Sequence, residues 1–106
     1  MSFDKNCVGL VGYGFVGEAF EKGMRHAFKV LIYDPIKYPV GRQAPTDIHI
    51  LDSADALTQR CDIIVVCVPT PMNPDGSAST KIVDSVVAQL AEFKRGNVVV
   101  IKSTVP

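Results

Sequence analysis

Apolar and polar positions alternate along this chain with two different periods. Cys7 to Val11, Val30 to Tyr33, Ile63 to Val68 and Val98 to Ile101 are short runs rich in Val and Ile. That is the pattern of strands buried on both faces of a parallel sheet. Ile48 to Leu51 is a weaker fifth candidate. Between the first two runs, Phe15, Val16, Ala19, Phe20, Gly23, Met24 and Ala27 recur at helical spacing, while Glu18, Glu21, Lys22 and Arg25 take the opposite side. The spacing predicts an amphipathic helix from Phe15 to Ala27 with one face on a sheet and the charged face in water. Thr80 to Phe93 repeats the theme, with a stripe of Ile82, Val83, Val86, Val87, Leu90 and Phe93, Ser79 or Thr80 to cap the start and Gly96 beyond the end. A short helix from Ser53 to about Arg60 completes the set. Strands alternating with helices imply right-handed crossovers. The expected fold is therefore α/β, an open, doubly wound parallel sheet of about five strands in the order 3-2-1-4-5.

Composition narrows this picture. The 106 residues, 47% of them hydrophobic, suffice for one core and one domain. Lys plus Arg number 11, as do Asp plus Glu, so no net field draws the chain to nucleic acid or to an anionic membrane. The first residues lack the apolar core of a signal peptide, and the longest apolar run, Ile63 to Pro69, is too short to cross a bilayer. A soluble, cytoplasmic chain is expected. Cys7, Cys61 and Cys67 are odd in number and show no Cys-x-x-Cys spacing, which predicts reduced thiols in the core.

Chemistry enters with the stretch Gly12-Tyr13-Gly14-Phe15-Val16-Gly17. Three glycines at this spacing are a weak signal alone, but here they follow an apolar strand, open an amphipathic helix and precede an acid, Asp34, 22 positions after Gly12. Gly12 permits a tight turn, Gly14 removes a Cβ that would block a pyrophosphate, and Gly17 lets helix and strand approach closely. The phosphates would sit on the amides around Phe15 and Val16. Asp34, followed by Pro35, would accept hydrogen bonds from ribose hydroxyls and repel a 2′-phosphate, which favours NAD over NADP. Lys37 and Arg42 leave NADP open, since a flexible cation can take that phosphate. Val68, Pro69 and Thr70 end the strand on the other side of the first, at the switch point where ligands bind. The prolines at 69 and 71 would hold the Thr70 hydroxyl toward the ribose and phosphates. Ser103 and Thr104 end another strand at the same edge, where nicotinamide and substrate would meet. Lys102 reads as a solvated strand tip, and Asn73-Pro-Asp-Gly76 as an ordinary turn.

Together, Gly-Tyr-Gly-Phe-Val-Gly at 12 to 17, Asp34, Val-Pro-Thr-Pro-Met at 68 to 72 and Ser-Thr-Val-Pro at 103 to 106 resemble the N-terminal, Rossmann-type NAD-binding domain of the UDP-glucose/GDP-mannose dehydrogenases. The resemblance spans the whole chain, 1–106, and its last two segments are far more specific than the glycine loop. It implies NAD-dependent, two-step oxidation of a nucleotide sugar's C6 alcohol to a carboxylate through a thioester on a cysteine. It also places Thr104 near the nicotinamide and the hydrolytic water, in a supporting catalytic role. The family's catalytic cysteine belongs to a later domain, after a long central helix, and none of Cys7, Cys61 or Cys67 matches it. The connection from Asp34 to Ile48 is also shorter than is usual in the family. The expectation is a cofactor-holding part of a nucleotide-sugar 6-dehydrogenase, inactive alone, with the sugar nucleotide as partner only in a longer context and no metal. An exposed apolar patch is expected of such a half by itself, which leaves a homodimer open. The alternative is a stand-alone module that binds NAD or a related nucleotide without chemistry, as a sensor or sequestering protein.

Overall fold

The structure, a computed structural model, describes residues 7–39, 45–68, 73–77, 79 and 81–102. Five strands and three helices alternate along it: β1 (Cys7–Val11), α1 (Phe15–Met24), β2 (Lys29–Tyr33), β3 (His49–Ile50), α2 (Ala54–Arg60), β4 (Ile63–Val66), α3 (Lys81–Glu92) and β5 (Val98–Ile101). The strands form one parallel sheet in the order β3-β2-β1-β4-β5. The expected doubly wound architecture and strand order are therefore present. The order reverses at β1, which lies between β2 and β4 with Leu10 opposite Ile32 on one side and Val65 on the other.

Two cores result from the side-chain alternation of the central strands. Cys7, Val11, Leu31, Ile64 and Val66 point to the face covered by α2 and α3, where they meet Leu57, Val83 and Leu90. Val8, Leu10, Val30, Ile32 and Val65 point to the other face, against Val16, Phe20 and Met24 of α1. Burial on both faces explains why these strands read as unbroken apolar runs. Gly9, on the α2 side, has no side chain where a neighbour would have one, and Leu57 fills that space: a Cβ on Gly9 would lie 3.0 Å from Leu57 Cδ1 and 3.2 Å from Ile64 Cγ1.

The helix ends follow local chemistry. The Ser53 hydroxyl accepts from the Ala56 amide at 3.1 Å and starts α2. At its far end, the Asn97 side-chain amide donates to the carbonyls of Thr58 (3.0 Å) and Cys61 (2.6 Å), satisfying acceptors that the last turn leaves open. Arg95 donates to Asp55 and to the hydroxyl of buried Thr58, so the approach to β5 is tied to α2. Helix α1 stops at Met24 rather than Ala27, because Arg25 to Ala27 form the turn that sends the chain into β2, closed by the Phe28 amide on the Met24 carbonyl. Helix α3 ends at Glu92, one residue before Phe93, where Lys94 (φ 50°) and Gly96 (φ 75°) take left-handed backbone that no helix continues. Of its expected caps, Ser79 is half-buried and Thr80 lies outside the described residues.

Three expectations are corrected. First, β5 is not buried on both faces: Val98, Val100 and Ile101 are 58%, 45% and 52% exposed, because β5 is the sheet edge among the described residues and α3 covers only the face of Val99. The expected apolar patch lies there, with Ile63 beside it. Second, Glu21 faces inward rather than into water, for reasons given below. Third, Cys7 and Cys61 are not free thiols but a disulfide, with Cα atoms 5.4 Å apart across 54 residues of sequence. The pairing of β1 with β4 brings the start of one strand beside the residue that ends α2 just before the other. Cys67 alone remains a free, buried thiol, as expected of all three. Among the described residues, no helix is long and apolar enough to cross a membrane.

The close seat of α2 on Gly9 is testable. Gly9→Val pushes two methyl groups against Leu57 and Ile64, both wholly buried, and is expected to cost about 2 kcal/mol, roughly 10 °C in Tm by circular dichroism. An unchanged Tm would show that α2 can retreat from the sheet.

Candidate functional site

The sequence between β1 and α1 folds as a tight turn that is crowded on one side and open on the other. Gly12 has φ +93°, a region other residues rarely adopt, and its amide donates to the Tyr33 carbonyl at 3.0 Å. A Cβ on Gly12 would lie 2.8 Å from the Cys67 carbonyl oxygen, and one on Gly17 only 2.1 Å from the Gly12 carbonyl oxygen. Gly14 is the opposite case, because a Cβ there meets nothing within 4 Å. Gly14 is also the N-cap of α1 and supplies no side-chain partner, so the first amides of the helix face that open space.

Residues that follow β2 hold this turn in place. The Asp34 carboxylate accepts from the Tyr13 amide at 2.8 Å through one oxygen, and from the amides of Ile36 (3.1 Å) and Lys37 (3.0 Å) through the other. The Lys37 ammonium donates to the Tyr13 carbonyl at 2.9 Å and lies 5.1 Å from the centre of the Tyr13 ring. Both backbone polar groups of Tyr13 are thereby fixed, one by an acidic and one by a basic side chain. The Tyr13 ring turns inward, 5% exposed, and its hydroxyl donates to Glu21 Oε1 at 3.0 Å. Arg25 completes the group, donating through Nε to Glu21 Oε2 at 3.0 Å and through Nη2 to Oε1. Glu21 is buried because three donors replace its water. Burial, and then the hydrogen bond to Glu21, push the Tyr13 hydroxyl from its ordinary 10.0 up to about 12.

Beside the loop lies a cavity of about 260 Å³. Of the residues singled out from sequence, Gly12, Gly14, Asp34, Pro35, Lys37 and Val68 line it. Tyr13 and Gly17 are buried beneath the turn, Val16 packs on the core, and Phe15 stands 95% exposed at the first position of α1. Pro69, Thr70, Ser103 and Thr104 lie outside the described residues. Part of the wall was not read as a site at all: Ile36 opposite Ile82, Val86 and Gln89 of α3. Ile82 and Val86 belong to the helix stripe assigned to the core, and nothing local marks Gln89, three residues further along the same side. Cys67 forms part of the floor, where burial raises its thiol pKa. Among the described residues, no cluster of three His, Cys, Asp or Glu side chains could hold a metal ion.

The arrangement can do one thing readily. It offers a helix N-terminus without obstructing side chains, a carboxylate a short step away, and a largely apolar slot beyond, which suits a dinucleotide laid across the end of the sheet.

Comparison with known proteins bears on this geometry. The model of the UDP-glucose/GDP-mannose dehydrogenase family, NAD binding domain, matches residues 46–106. The match takes in the segments at 68 to 72 and 103 to 106, but not the glycine loop. Among solved structures, the chain is similar to a UDP-glucose dehydrogenase from the hyperthermophilic archaeon Pyrobaculum islandicum, with a TM-score of 0.77 over 95% of this chain and 24% identity. It is also similar to Plasmodium falciparum pyrroline carboxylate reductase with NADP bound, with a TM-score of 0.66 over 96% of this chain and 20% identity. At these identities the likeness concerns the fold. The chain spans 29% and 35% of the length of those two proteins. No curated protein matches.

Two tests probe the loop itself. Gly17→Ala must displace the Gly12 carbonyl and is expected to cost about 2 kcal/mol, whereas Gly14→Ala moves the Tm by no more than about 3 °C. Equal losses in thermal unfolding would contradict the crowded and open sides described. Folding also holds the Tyr13 proton more tightly than the unfolded chain does. Its contribution is therefore complete below pH 10 and fades as the pH rises through about 12. In urea unfolding, the stability lost in Tyr13→Phe should shrink across that window; a constant difference would mean that the hydroxyl is not so held.

Proposed function

The chain belongs to the UDP-glucose/GDP-mannose dehydrogenase family, matching its NAD-binding domain, and from that premise we propose that it holds the cofactor of a nucleotide-sugar 6-dehydrogenase. The observation that carries this reading is the open space at Gly14, at the start of α1, next to a turn whose other two glycines are packed solid. A pyrophosphate needs that opening and the amides behind it, and the residues present fit one. Gly12, Gly14 and the amides of Phe15 and Val16 would hold the phosphates, Asp34 and Pro35 the adenosine ribose, and Val68, Pro69 and Thr70 the far side. Ser103 and Thr104 would meet the nicotinamide, with Thr104 supporting the chemistry.

A bound NAD would supply the hydride acceptor for oxidation at C6 of a sugar nucleotide. This chain's own share is to bind and orient the ring. None of its cysteines suits the catalytic cysteine's role: Cys7 and Cys61 are paired with each other, and Cys67 lies buried at the floor with its thiol pKa raised. The chain by itself is therefore read as a binding domain without turnover, active only in the context of a further domain. In this reading it is cytoplasmic, with NAD and, in the longer context, a sugar nucleotide as partners.

NAD is favoured over NADP. Of the two cations that could receive a 2′-phosphate, Lys37 already donates to the Tyr13 carbonyl and Arg42 lies outside the described residues, while the Asp34 carboxylate would face that phosphate with like charge.

Calorimetric titration with NAD, NADP and ADP-ribose is the test. NAD and ADP-ribose should bind comparably, and NADP about tenfold more weakly or worse. Gly14→Val should abolish binding while the protein stays folded, and Asp34→Asn should narrow the gap between NAD and NADP. Unchanged NAD binding in Gly14→Val would overturn the phosphate site, and tighter NADP would overturn the cofactor assignment.

A further inference from the structure

Beyond Asp34 the cavity continues into a slot that neither the glycine loop nor the ribose carboxylate uses. One wall is Ile36, whose side chain is 81% exposed although it is apolar. The other is α3, where Ile82, Val86 and Gln89 follow at intervals of four and three residues and so share one side of the helix. Ile82 and Val86 are only half-buried, and their remaining surface has no cover from the sheet. Gln89 closes the rim, and its side-chain amide makes no hydrogen bond to any described residue.

Two aliphatic walls with a single amide at the edge match one kind of group, a flat ring with apolar faces and a hydrogen-bonding border. The Ile36 amide donates to the Asp34 carboxylate, which puts the Ile36 wall beside the ribose position and says which ring. A dinucleotide whose pyrophosphate lies at Gly14 and whose ribose lies at Asp34 has its base next in line. A Gln amide carries one acceptor and one donor side by side, complementary to adenine's exocyclic amine and N7. Hypoxanthine, with a carbonyl in place of that amine, presents two acceptors, O6 and N7, on that border and satisfies only half of the amide.

We propose that Gln89 determines base specificity at this site, pairing with the amine-bearing edge of adenine while Ile36 and the Ile82–Val86 pair cover the ring's two faces. This rests on the dinucleotide reading above and adds to it a residue on α3 that reads the base.

The test compares NAD with nicotinamide hypoxanthine dinucleotide, in which a carbonyl replaces the purine amine and N1 carries a hydrogen while N7 is unchanged, by calorimetric titration of the whole chain. The unaltered protein should prefer NAD about tenfold. Gln89→Leu should bind NAD more weakly, about as weakly as the hypoxanthine analogue, with an unchanged Tm because Gln89 stands on an exposed side of the helix. Ile36→Ser should weaken both ligands alike and leave their ratio intact. The affinity ratio is a readout that a purely structural role for Gln89 would not move. If NAD binds but Gln89→Leu keeps the preference, or if the unaltered protein shows no preference, Gln89 does not read the base and the dinucleotide reading stands. If neither ligand binds the unaltered protein, both readings fall.

Discussion

The junction of β1, the glycine turn and α1 depends on a contact that admits no side chain. The carbonyl of Gly12 passes so close to the backbone of Gly17 that a Cβ there would overlap it. This proximity sets where α1 begins relative to the end of β1. It places the helix N-terminus over the switch point, where β1 separates β2 from β4. Any looser packing would move the first helical amides away from the end of the sheet and from the cavity beside them. The site is thus a consequence of backbone crowding more than of any reactive side chain.

Charge supports the same junction from both ends. Asp34 and Lys37, carried in by β2, hold the amide and the carbonyl of Tyr13. Glu21 of α1 accepts from its hydroxyl from beneath, and Arg25 at the helix C-cap holds Glu21 in turn. A carboxylate as buried as Glu21 is tolerable only with such donors, and removing one of them would leave an uncompensated charge in the core. These contacts order a turn that has glycine at three of its six positions and little intrinsic stiffness. A loop meant to receive a ligand on its open side gains by being held on its closed side before the ligand arrives.

Much of the fold was legible in the chain because its signals are local. Cys7 to Val11 and Val98 to Ile101 coincide with β1 and β5, and α2 starts at its Ser53 cap as read. The stripe on Thr80 to Phe93 located α3 within a residue at each end. The glycine turn and Asp34 were also legible, since a strand, a tight turn, a helix and an acid occur there in order. What escaped was the role of residues whose partners are remote in sequence. Glu21 sits among Glu18, Lys22 and Arg25 and looks like its neighbours, yet Tyr13 from the turn captures it. The apolar run of β5 could not show that α3 covers only one of its faces.

The amino-acid sequence alone therefore determined the α/β fold class, the place of the glycine turn and the family whose NAD-binding domain the chain matches. The first two follow from periodicity within about a dozen residues and from backbone freedom at glycine. Only the tertiary structure decided that Cys7 meets Cys61, that Glu21 is buried and that Gln89 stands at the rim of the cavity opened by Gly14. Each of these is a relation between segments brought together by the parallel crossovers. No local pattern records which residues a crossover will place side by side.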